Sequence, residues 1–324
     1  MVDPHTPAAH RIYLDCDTGI DDALAIAYLL ASPEVQLLGI GAVSGNVSAG
    51  VGAVNTRDLL ALAGREDVPV ATGAHDPLGG SFHGGAPHVH GANGIGGVEL
   101  EPSTAAAVDE TAAELLIRLA RENPGTLEVL AIGPLTNLAL ALAREPGLPA
   151  LVRHVTIMGG AAMAPGNITP VAEANIANDA EAAARVLAAD WQVTLVPLDV
   201  TMDHVFEETH RQRLLTSGQP MALVLGEMLG FYFDFYAPQF GRPCSAMHDP
   251  LAAAIAVGGV TPAIAPKVNL VVDATDGPGR GQTICDLRGR FRGFPDQPGA
   301  HTRVVLTLKE DFAEHLVERI LGEG

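Results

Sequence analysis

Cysteine is scarce in this sequence. The three cysteines, Cys16, Cys244 and Cys285, are widely spaced and form no CxxC pair. An odd number of isolated cysteines indicates neither a disulfide framework nor a thiolate zinc site. The pattern therefore predicts a protein of a reducing compartment.

Basic residues are also few. The sequence has 19 Lys and Arg against 38 Asp and Glu, which gives a formal net charge of -19. Because such a protein repels polyanions, DNA, RNA and anionic membrane surfaces are not expected as partners. Neutral sugars, nucleosides and metal cations remain possible, since carboxylates accept hydrogen bonds from hydroxyl groups and coordinate hard ions.

Long apolar runs are absent as well. The strongest run, residues 23–31, is too short to cross a bilayer, and the first eleven residues contain no apolar run. We therefore expect a cytoplasmic protein. The 324 residues are nevertheless 48% hydrophobic, which is enough to bury a large core.

Short runs rich in Val, Ile and Leu alternate with helical patterns, which is typical of βαβ units that build a mainly parallel sheet. The predicted strands are Ile12–Asp17, Val35–Val43, Leu127–Ile132, Val155–Met158 and Val193–Leu198, with later strands near Val268–Val272 and Val304–Leu308. The predicted helices are Asp21–Leu30, Ala49–Ala63, Thr111–Arg121, Leu135–Ala143, Asp179–Ala188, two between Glu207 and Tyr236, and Asp311–Leu321. We predict an α/β fold with a mixed, mainly parallel central sheet flanked by helices.

No repeat, low-complexity tract or linker divides the chain. We therefore predict a single domain over residues 1–324, with a flexible segment at 1–10. The glycine-rich stretch 73–97 is unusually long for a loop and carries His75, His83, His88 and His90. Loops of that length in compact domains are usually lids or binding loops, and these histidines match no zinc spacing. We expect an active-site loop here.

Four carboxylates fall within eight residues, in the sequence Asp15-Cys-Asp17-Thr-Gly-Ile-Asp21-Asp22. Like charges this close raise one another's pKa and destabilise the fold unless a cation lies between them. Only oxygen donors are present, which favours calcium or magnesium over zinc. One aspartate could simply cap the next helix, but four in this array indicate a cation site. Gly19 is expected to supply an unusual backbone turn within it.

The acidic cluster follows the first predicted strand, and ligands of open α/β sheets gather beyond the carboxyl ends of strands. Polar or small residues follow the other predicted strands: Ser44-Gly45-Asn46, Gly133-Pro134, Gly159-Gly160 and Asp199. His248 and Asp249 precede a helix near residue 251, where Asp249 could be a helix cap. Histidine is the side chain best suited to donate a proton near neutral pH.

A segment predicted to be extended carries Asn167, Glu173 and Asn175. Amides and a carboxylate are the groups that the hydroxyls of a sugar need as partners. By contrast, Asn178 and Asp179 stand directly before a helical pattern and are interpreted as helix caps.

These segments together resemble the inosine-uridine preferring nucleoside hydrolase family over essentially the whole chain. The resemblance rests on DCDTGIDD at 15–22, Ser44-Gly45-Asn46, His90-Gly-Ala-Asn-Gly94, Gly133-Pro-Leu-Thr-Asn137, the block from Met158 to Asn175, and His248-Asp249-Pro250. It implies an open α/β fold, Ca²⁺ as cofactor, a ribonucleoside as substrate, a role in purine and pyrimidine salvage, and a homodimer or homotetramer.

The resemblance also implies roles for individual residues. The implied metal ligands are Asp17, Asp22, Asp249 and the backbone carbonyl of Ile132. The implied substrate-binding residues are Asp21, Asn46, His90, Asn167, Glu173 and Asn175, with Tyr232 and Tyr236 as candidates for contact with the base. Asp17 would also be the general base, His248 would protonate the leaving base, and Asp15 would support the site from behind.

The implied reaction is hydrolysis of the N-glycosidic bond by calcium-bound water. It passes through an oxocarbenium-like transition state, which carboxylates near the ring stabilise, and inverts the anomeric carbon. The sequence does not rank purine against pyrimidine nucleosides. Tyr232 and Tyr236, four residues apart on a predicted helix, also fit ordinary core packing. Trp191 precedes a strand, which argues against a pocket that stacks the base between tryptophans.

Two alternatives remain. Asp15-x-Asp17 after a strand is similar to the nucleophile and acid pair of haloacid-dehalogenase-like phosphohydrolases, although Gly19 stands where that family has Thr or Val. A non-catalytic nucleoside- or ribose-binding protein could use the same polar groups and would not need a metal-linked water.

Overall fold

A computed structural model describes residues 10–323 of the chain as an alternation of strands and helices. The strands are β1 (His10–Cys16), β2 (Val35–Ala42), β3 (Val70–Thr72), β4 (Leu127–Ala131), β5 (Val152–Met158), β6 (Val193–Val196), β7 (Val205–Glu207), β8 (Cys244–Ala246), β9 (Pro262–Ile264), β10 (Lys267–Val268), β11 (Leu270–Val272), β12 (Thr283–Cys285), β13 (Thr302–Val304) and β14 (Thr307–Leu308). Of the segment predicted to be flexible, residues 1–9 lie outside the described residues.

Helices follow most of the strands. They are α1 (Ile20–Leu30), α2 (Ala49–Leu62), α3 (Pro87–His90), α4 (Ala112–Glu122), α5 (Thr136–Arg144), α6 (Leu148–Leu151), α7 (Ala174–Asn178), α8 (Ala180–Leu187), α9 (Leu198–Thr201), α10 (Glu208–Thr216), α11 (Pro220–Phe240), α12 (His248–Ala256) and α13 (Ala313–Leu321), with a 3-10 turn at Arg290–Arg292. In the part of the chain that the structure describes, no helix is both long and apolar enough to span a bilayer.

The central sheet has eight strands in the order β10-β13-β6-β5-β4-β1-β2-β3. Every neighbouring pair is parallel except β10 and β13 at one edge, which are antiparallel. The predicted α/β class and mixed, mainly parallel sheet are therefore confirmed. Asp15 at the end of β1 lies between Gly41 of β2 and Ala131 of β4, so these strands end at the same edge.

Both faces of the sheet are covered, as the apolar strands require. One core cluster packs helices α1, α11, α12 and α13 against the sheet, and the other packs α4, α5 and α8 against the opposite face. Every residue of β4 is buried. The polar groups that follow the strands therefore lie at the carboxyl edge of a sheet that is packed on both faces.

Several predicted boundaries were wrong. The fifth predicted strand ends at Val196 because Pro197 is the N-cap of the short helix α9, which includes Leu198. The segment predicted to be extended from Asn167 to Asn175 is a series of turns that leads into α7, with Asn175 inside that helix. Asp179 caps α8 as predicted, whereas Asn178 is the last residue of α7 and bonds back to Ala174.

Candidate active site

A cavity of about 640 Å³ opens at the carboxyl edge of the sheet. Most of the predicted site residues line it: Asp21, Asn46, His90, Ile132, Asn167, Glu173, Asn175, Tyr232, Tyr236, His248 and Asp249. Asp17 and Asp22 do not line it but bond to Asn46, which does. Residues from widely separated segments of the chain therefore meet at one site.

The carboxylate of Asp22 is held by the backbone at the start of α1. Its Oδ2 accepts from Gly19 N at 2.7 Å and from Asn46 Nδ2 at 3.2 Å, and its Oδ1 accepts from Asp17 N at 3.2 Å. Asp22 thus fixes the turn that joins β1 to α1.

Gly19 does not provide the unusual backbone turn that the sequence suggested, since its φ is −96°. What the position requires is space. A Cβ there would lie 2.6 Å from His90 Nδ1 and 2.8 Å from Asn46 Nδ2. Glycine therefore lets the loop that carries His90 and the one that carries Asn46 approach the acidic turn.

Asp21, Asp22 and Asp249 bring one carboxylate oxygen each to within 4.8 Å of one another. Among the buried side-chain polar atoms of residues 10–323, only Asp17 Oδ1, Asp21 Oδ1 and Ser245 Oγ have no hydrogen-bond partner. Two of these three atoms belong to the acidic cluster. Buried oxygens without hydrogen-bond donors are costly unless a cation takes the donor's place. The cluster is therefore suited to hold a hard metal ion.

Electrostatics support the same interpretation. Burial, with the neighbouring charge of Asp22, raises the pKa of Asp21 to about 7. Burial and the charges of the other aspartates also raise the pKa of Asp17 and of Asp249 well above the usual range. Without a compensating positive charge these groups would tend to keep their protons, so a cation would return them to the ionised state.

Asp17 has one oxygen held and one free. Its Oδ2 accepts from Asn46 N at 2.6 Å, whereas its Oδ1 has no partner. Glycines make room on both sides, because a Cβ at Gly45 would lie 2.0 Å from Oδ2 and one at Gly133 would lie 2.8 Å from Oδ1. The free oxygen is available to a cation or to a proton.

Asp15 lies behind the cluster and is fully buried. Its Oδ2 accepts from Tyr13 Oη at 2.8 Å and from Asn137 Nδ2 at 3.1 Å. Burial raises its pKa to about 7 despite these two donors. Asp15 does not line the cavity, in keeping with its predicted supporting position.

The opposite wall of the cavity carries the predicted sugar-binding groups. Both oxygens of Glu173 cap α7, with Oε1 accepting from Asn175 N at 2.9 Å and Oε2 from Ile176 N at 3.2 Å. Oε2 also accepts from Gly160 N, outside the helix, at 2.9 Å. Asn175 Nδ2 donates to the carbonyl of Ile132 at 2.9 Å. Asn167 is exposed at the mouth, and its Oδ1 accepts from Ala174 N at 2.9 Å. The Ile132 carbonyl keeps a second lone pair for another ligand.

His90 closes one side of the cavity from α3. Its Nδ1 accepts from Ile20 N at 3.1 Å, and burial lowers its pKa to about 3, so the ring is neutral. The ring lies against Tyr232, with centroids 5.4 Å apart. Tyr232 and Tyr236 are buried, and both also face the cavity, so packing and ligand contact are compatible for them.

His248, the first residue of α12, has a partner at each ring nitrogen. Nε2 lies 2.7 Å from Tyr236 Oη, and Nδ1 lies 2.7 Å from Thr201 Oγ1. Burial lowers the pKa of His248 to about 4, so the ring is neutral near pH 7. A neutral ring donates at one nitrogen and accepts at the other, which links Thr201, His248 and Tyr236 in one chain of hydrogen bonds.

Sequence reasoning missed several residues around this cavity. His88, Met202, Phe235 and Gln239 line it, and Thr201 holds His248. Asp199 stood among the polar groups after the strands but was given no role. A histidine in the predicted active-site loop was a usable signal for His88, whereas nothing local marks Thr201.

The fold and the site together define a class of protein. A buried, oxygen-only acidic cluster at the carboxyl edge of a mainly parallel sheet, faced by amides and a further carboxylate, is suited to an α/β enzyme that binds a small polyhydroxyl substrate beside a cation.

Comparison with known proteins names the family. Residues 12–314 match the family model described as inosine-uridine preferring nucleoside hydrolase. Uridine nucleosidase 1 of Arabidopsis thaliana is 37% identical over 75% of this chain and 72% of its own. The pyrimidine-specific ribonucleoside hydrolase of Salmonella newport is 37% identical over 75% of this chain and 78% of its own.

A solved structure agrees with these sequences. The purine-preferring ribonucleoside hydrolase from Gardnerella vaginalis superimposes with a TM-score of 0.88 at 32% identity, covering 96% of this chain and 98% of that one. The chain belongs to the inosine-uridine preferring nucleoside hydrolase family. It is therefore an enzyme, a hydrolase acting on N-glycosyl bonds, which confirms the predicted family and class and replaces both alternatives.

Proposed function

We propose that this enzyme uses Ca²⁺ to hydrolyse the N-glycosidic bond of ribonucleosides, releasing ribose and the free base. The observation that carries the proposal is the pair of buried, unpartnered oxygens, Asp17 Oδ1 and Asp21 Oδ1, beside a cavity lined by amides. A single domain with residues 73–97 as active-site loop is part of the proposal, and so is assembly into a homodimer or homotetramer.

The acidic cluster fits the implied cofactor. Asp17, Asp22, Asp249 and the carbonyl of Ile132 would hold the ion, and Asp21 lies close enough to share it. Oxygen-only ligands of irregular geometry favour calcium over zinc. When bound, the cation would lower the pKa of a water molecule and hold the hydroxyls of the ribose.

The ribose would lie between the acidic cluster and the wall formed by Asn167, Glu173 and Asn175. Asn46 and Asp21 would bind from the cluster's side, since both line the cavity. The side chains of Asn167, Glu173 and Asn175 are already held by hydrogen bonds to the backbone, so few of their torsions remain to be ordered when ribose binds.

Asp17 would remove the proton from the attacking water. The water oxygen bonds to the anomeric carbon, the bond from that carbon to the base nitrogen breaks, and its electron pair leaves with the base. Carboxylates near the ring stabilise the positive charge that develops on the sugar. Attack opposite the leaving base predicts inversion.

His248 would supply a proton to the departing base, with Tyr236 as its hydrogen-bonded partner in the cavity. Since burial keeps the ring neutral at pH 7, transfer would occur only as negative charge builds on the base. Both pyrimidine- and purine-acting enzymes are similar to this chain, so uridine and inosine are the two substrates to compare first.

The test is release of reducing sugar from uridine and inosine with calcium, with and without a chelator. We expect turnover that the chelator abolishes and calcium restores. Asp17→Asn should lower kcat by about 10²-fold or more, the effect of losing a general base. Asp67→Asn, which removes a surface carboxylate paired with Arg65, is the matched control and should keep full activity.

Three outcomes would contradict the proposal. Tight nucleoside binding without ribose release would indicate a binding protein, and phosphate release from phosphomonoesters would indicate a phosphohydrolase. Turnover unaffected by the chelator would remove the role given to the acidic cluster.

A further inference from the structure

The segment 159–173 joins β5 to α7 and carries Asn167 and Glu173 to the wall of the cavity. It contains no regular strand or helix, and Met163 and Ile168 are 49% and 63% exposed. A segment with so much exposed surface needs other contacts to hold it in one position.

Asp199, in the first turn of α9, provides such contacts. Its Oδ2 accepts from Ala162 N at 2.7 Å, and its Oδ1 accepts from Met163 N at 2.7 Å and Ala164 N at 3.1 Å. Three successive backbone N–H groups therefore converge on one carboxylate. Hydrogen bonds to an ionised acceptor are roughly twice as strong as those between neutral groups.

The side chain of Thr283 holds Ala161, the residue just before these three. The hydroxyl of Thr283, on β12, accepts from Ala161 N at 2.9 Å and donates to Ala161 O at 2.8 Å. The backbone from 161 to 164 is thus fixed by two side chains from separate elements. Asn167 and Glu173 lie further along the same segment.

We infer that Asp199 is a positioning residue for ribose binding: it sets the segment 159–173 so that Asn167 and Glu173 face the sugar. The inference rests on the proposed function. Asp199 borders the cavity, but three of the about four acceptor positions of its carboxylate are taken by backbone N–H groups, so it acts through the segment.

Asparagine cannot replace this carboxylate. Its amide offers one oxygen, and its NH₂ group would face an N–H donor. In Asp199→Asn we expect the affinity for ribose to fall by about tenfold or more, the effect of losing one charge-assisted hydrogen bond. KM for uridine and inosine should rise by a similar factor, with a smaller change in kcat. Amide hydrogen exchange at Ala162, Met163 and Ala164 should accelerate.

The matched control is Glu66→Gln. Glu66 Oε1 also fastens a loop by accepting from backbone groups, Thr104 N at 3.2 Å and Ala105 N at 3.3 Å, but that loop is remote from the cavity. This variant should leave ribose affinity and KM unchanged. Thr283→Val, which keeps shape and loses the hydroxyl, should repeat the effects of Asp199→Asn more weakly and serves if Asp199→Asn does not fold.

The proposed function and the positioning role of Asp199 can be disproved independently of each other. If the wild-type protein neither binds ribose nor releases it, the proposed function is wrong, while hydrogen exchange still tests whether Asp199 fixes the segment. Unchanged exchange over 159–173 in Asp199→Asn overturns the inference. So does faster exchange accompanied by unchanged ribose affinity and KM, because the contact would then be structural only.

Discussion

At the scale of single residues, the site depends on groups that are held firmly and yet keep one atom free. Asp17 is the clearest example: the backbone N–H of Asn46 holds Oδ2, glycines leave space on both sides of the carboxylate, and Oδ1 has no partner. Tyr236 is another: its hydroxyl meets His248 Nε2 at 2.7 Å while the side chain lines the cavity. Small chemical changes at such residues should separate the steps of the reaction.

Tyr236→Phe tests protonation of the leaving base. The change removes only the hydroxyl, so kcat on uridine and inosine should fall by about 10²-fold if the chain of hydrogen bonds delivers the proton. A riboside whose leaving group needs no proton, such as 4-nitrophenyl riboside, should be hydrolysed almost as fast as by the wild-type enzyme. Steady-state rates on both substrates measure the difference.

A matched control exists near the C-terminal end of α1. Tyr28 Oη also meets a histidine nitrogen, His315 Nε2, at 2.8 Å. Tyr28→Phe removes the same kind of bond without touching the cavity and should leave both rates unchanged. An equal loss on both substrates in Tyr236→Phe would show that the hydroxyl positions the substrate and does not serve acid catalysis.

Which residues could be predicted depends on how local their partners are. The acidic cluster is visible in eight consecutive residues, and its burial follows from the apolar strand before it. Asp199 and Thr201 were missed as functional residues because their partners are 37 and 47 positions away. The residue types in one stretch of sequence do not indicate which distant residues they will contact in the fold.

At the scale of elements, the long parallel strands and the amphipathic helices were predictable because their patterns repeat over several turns or pleats. The short strands β7, β8, β9 and β12 have three residues each, too few to show an alternation. The helix α7 was hidden for another reason. The side chain of Glu173, assigned to the sugar, also caps this helix.

Helix α4 offers a test of local stability that is independent of catalysis. Thr111 and Glu114 form a reciprocal capping box, with Thr111 N donating to Glu114 Oε2 at 2.9 Å. Thr111→Ala should lower the free energy of unfolding by about 1 kcal/mol, which denaturant titration can measure. Activity should not change, because no residue of α4 lines the cavity. Thr209→Ala, at an exposed position of α10 without a capping contact, is the control.

At the scale of the whole molecule, a net charge of -19 is combined with several buried acids in one place. Both features oppose folding at neutral pH, and both favour association with cations. The acidic composition, and with it the prediction that polyanions are not partners, comes from the sequence alone. The meeting of Asp249 with Asp21 and Asp22 required the fold, because the sequence alone left Asp249 as either a helix cap or a ligand.

Calcium should therefore stabilise the entire fold. At about 100 times its Kd, a ligand bound only by the folded state adds about 2.7 kcal/mol. For a protein of this size that corresponds to an increase in Tm of about 4 °C. Thermal unfolding with a chelator and then with rising calcium measures the shift. Asp249→Asn should reduce it sharply, and an undiminished shift would place the ion elsewhere.

The acidic turn after β1 and its partner on α12 are far apart in the sequence. During synthesis the first aspartates leave the ribosome long before Asp249 exists, and the strand that carries them still lacks its neighbour β4. The nascent chain therefore lacks the complete set of residues proposed to bind the metal. Capture of the proposed calcium would therefore be a late step of maturation, open only to chains in which α12 has docked against the sheet. Scarcity of calcium should delay this step and leave the early growth of the sheet unaffected.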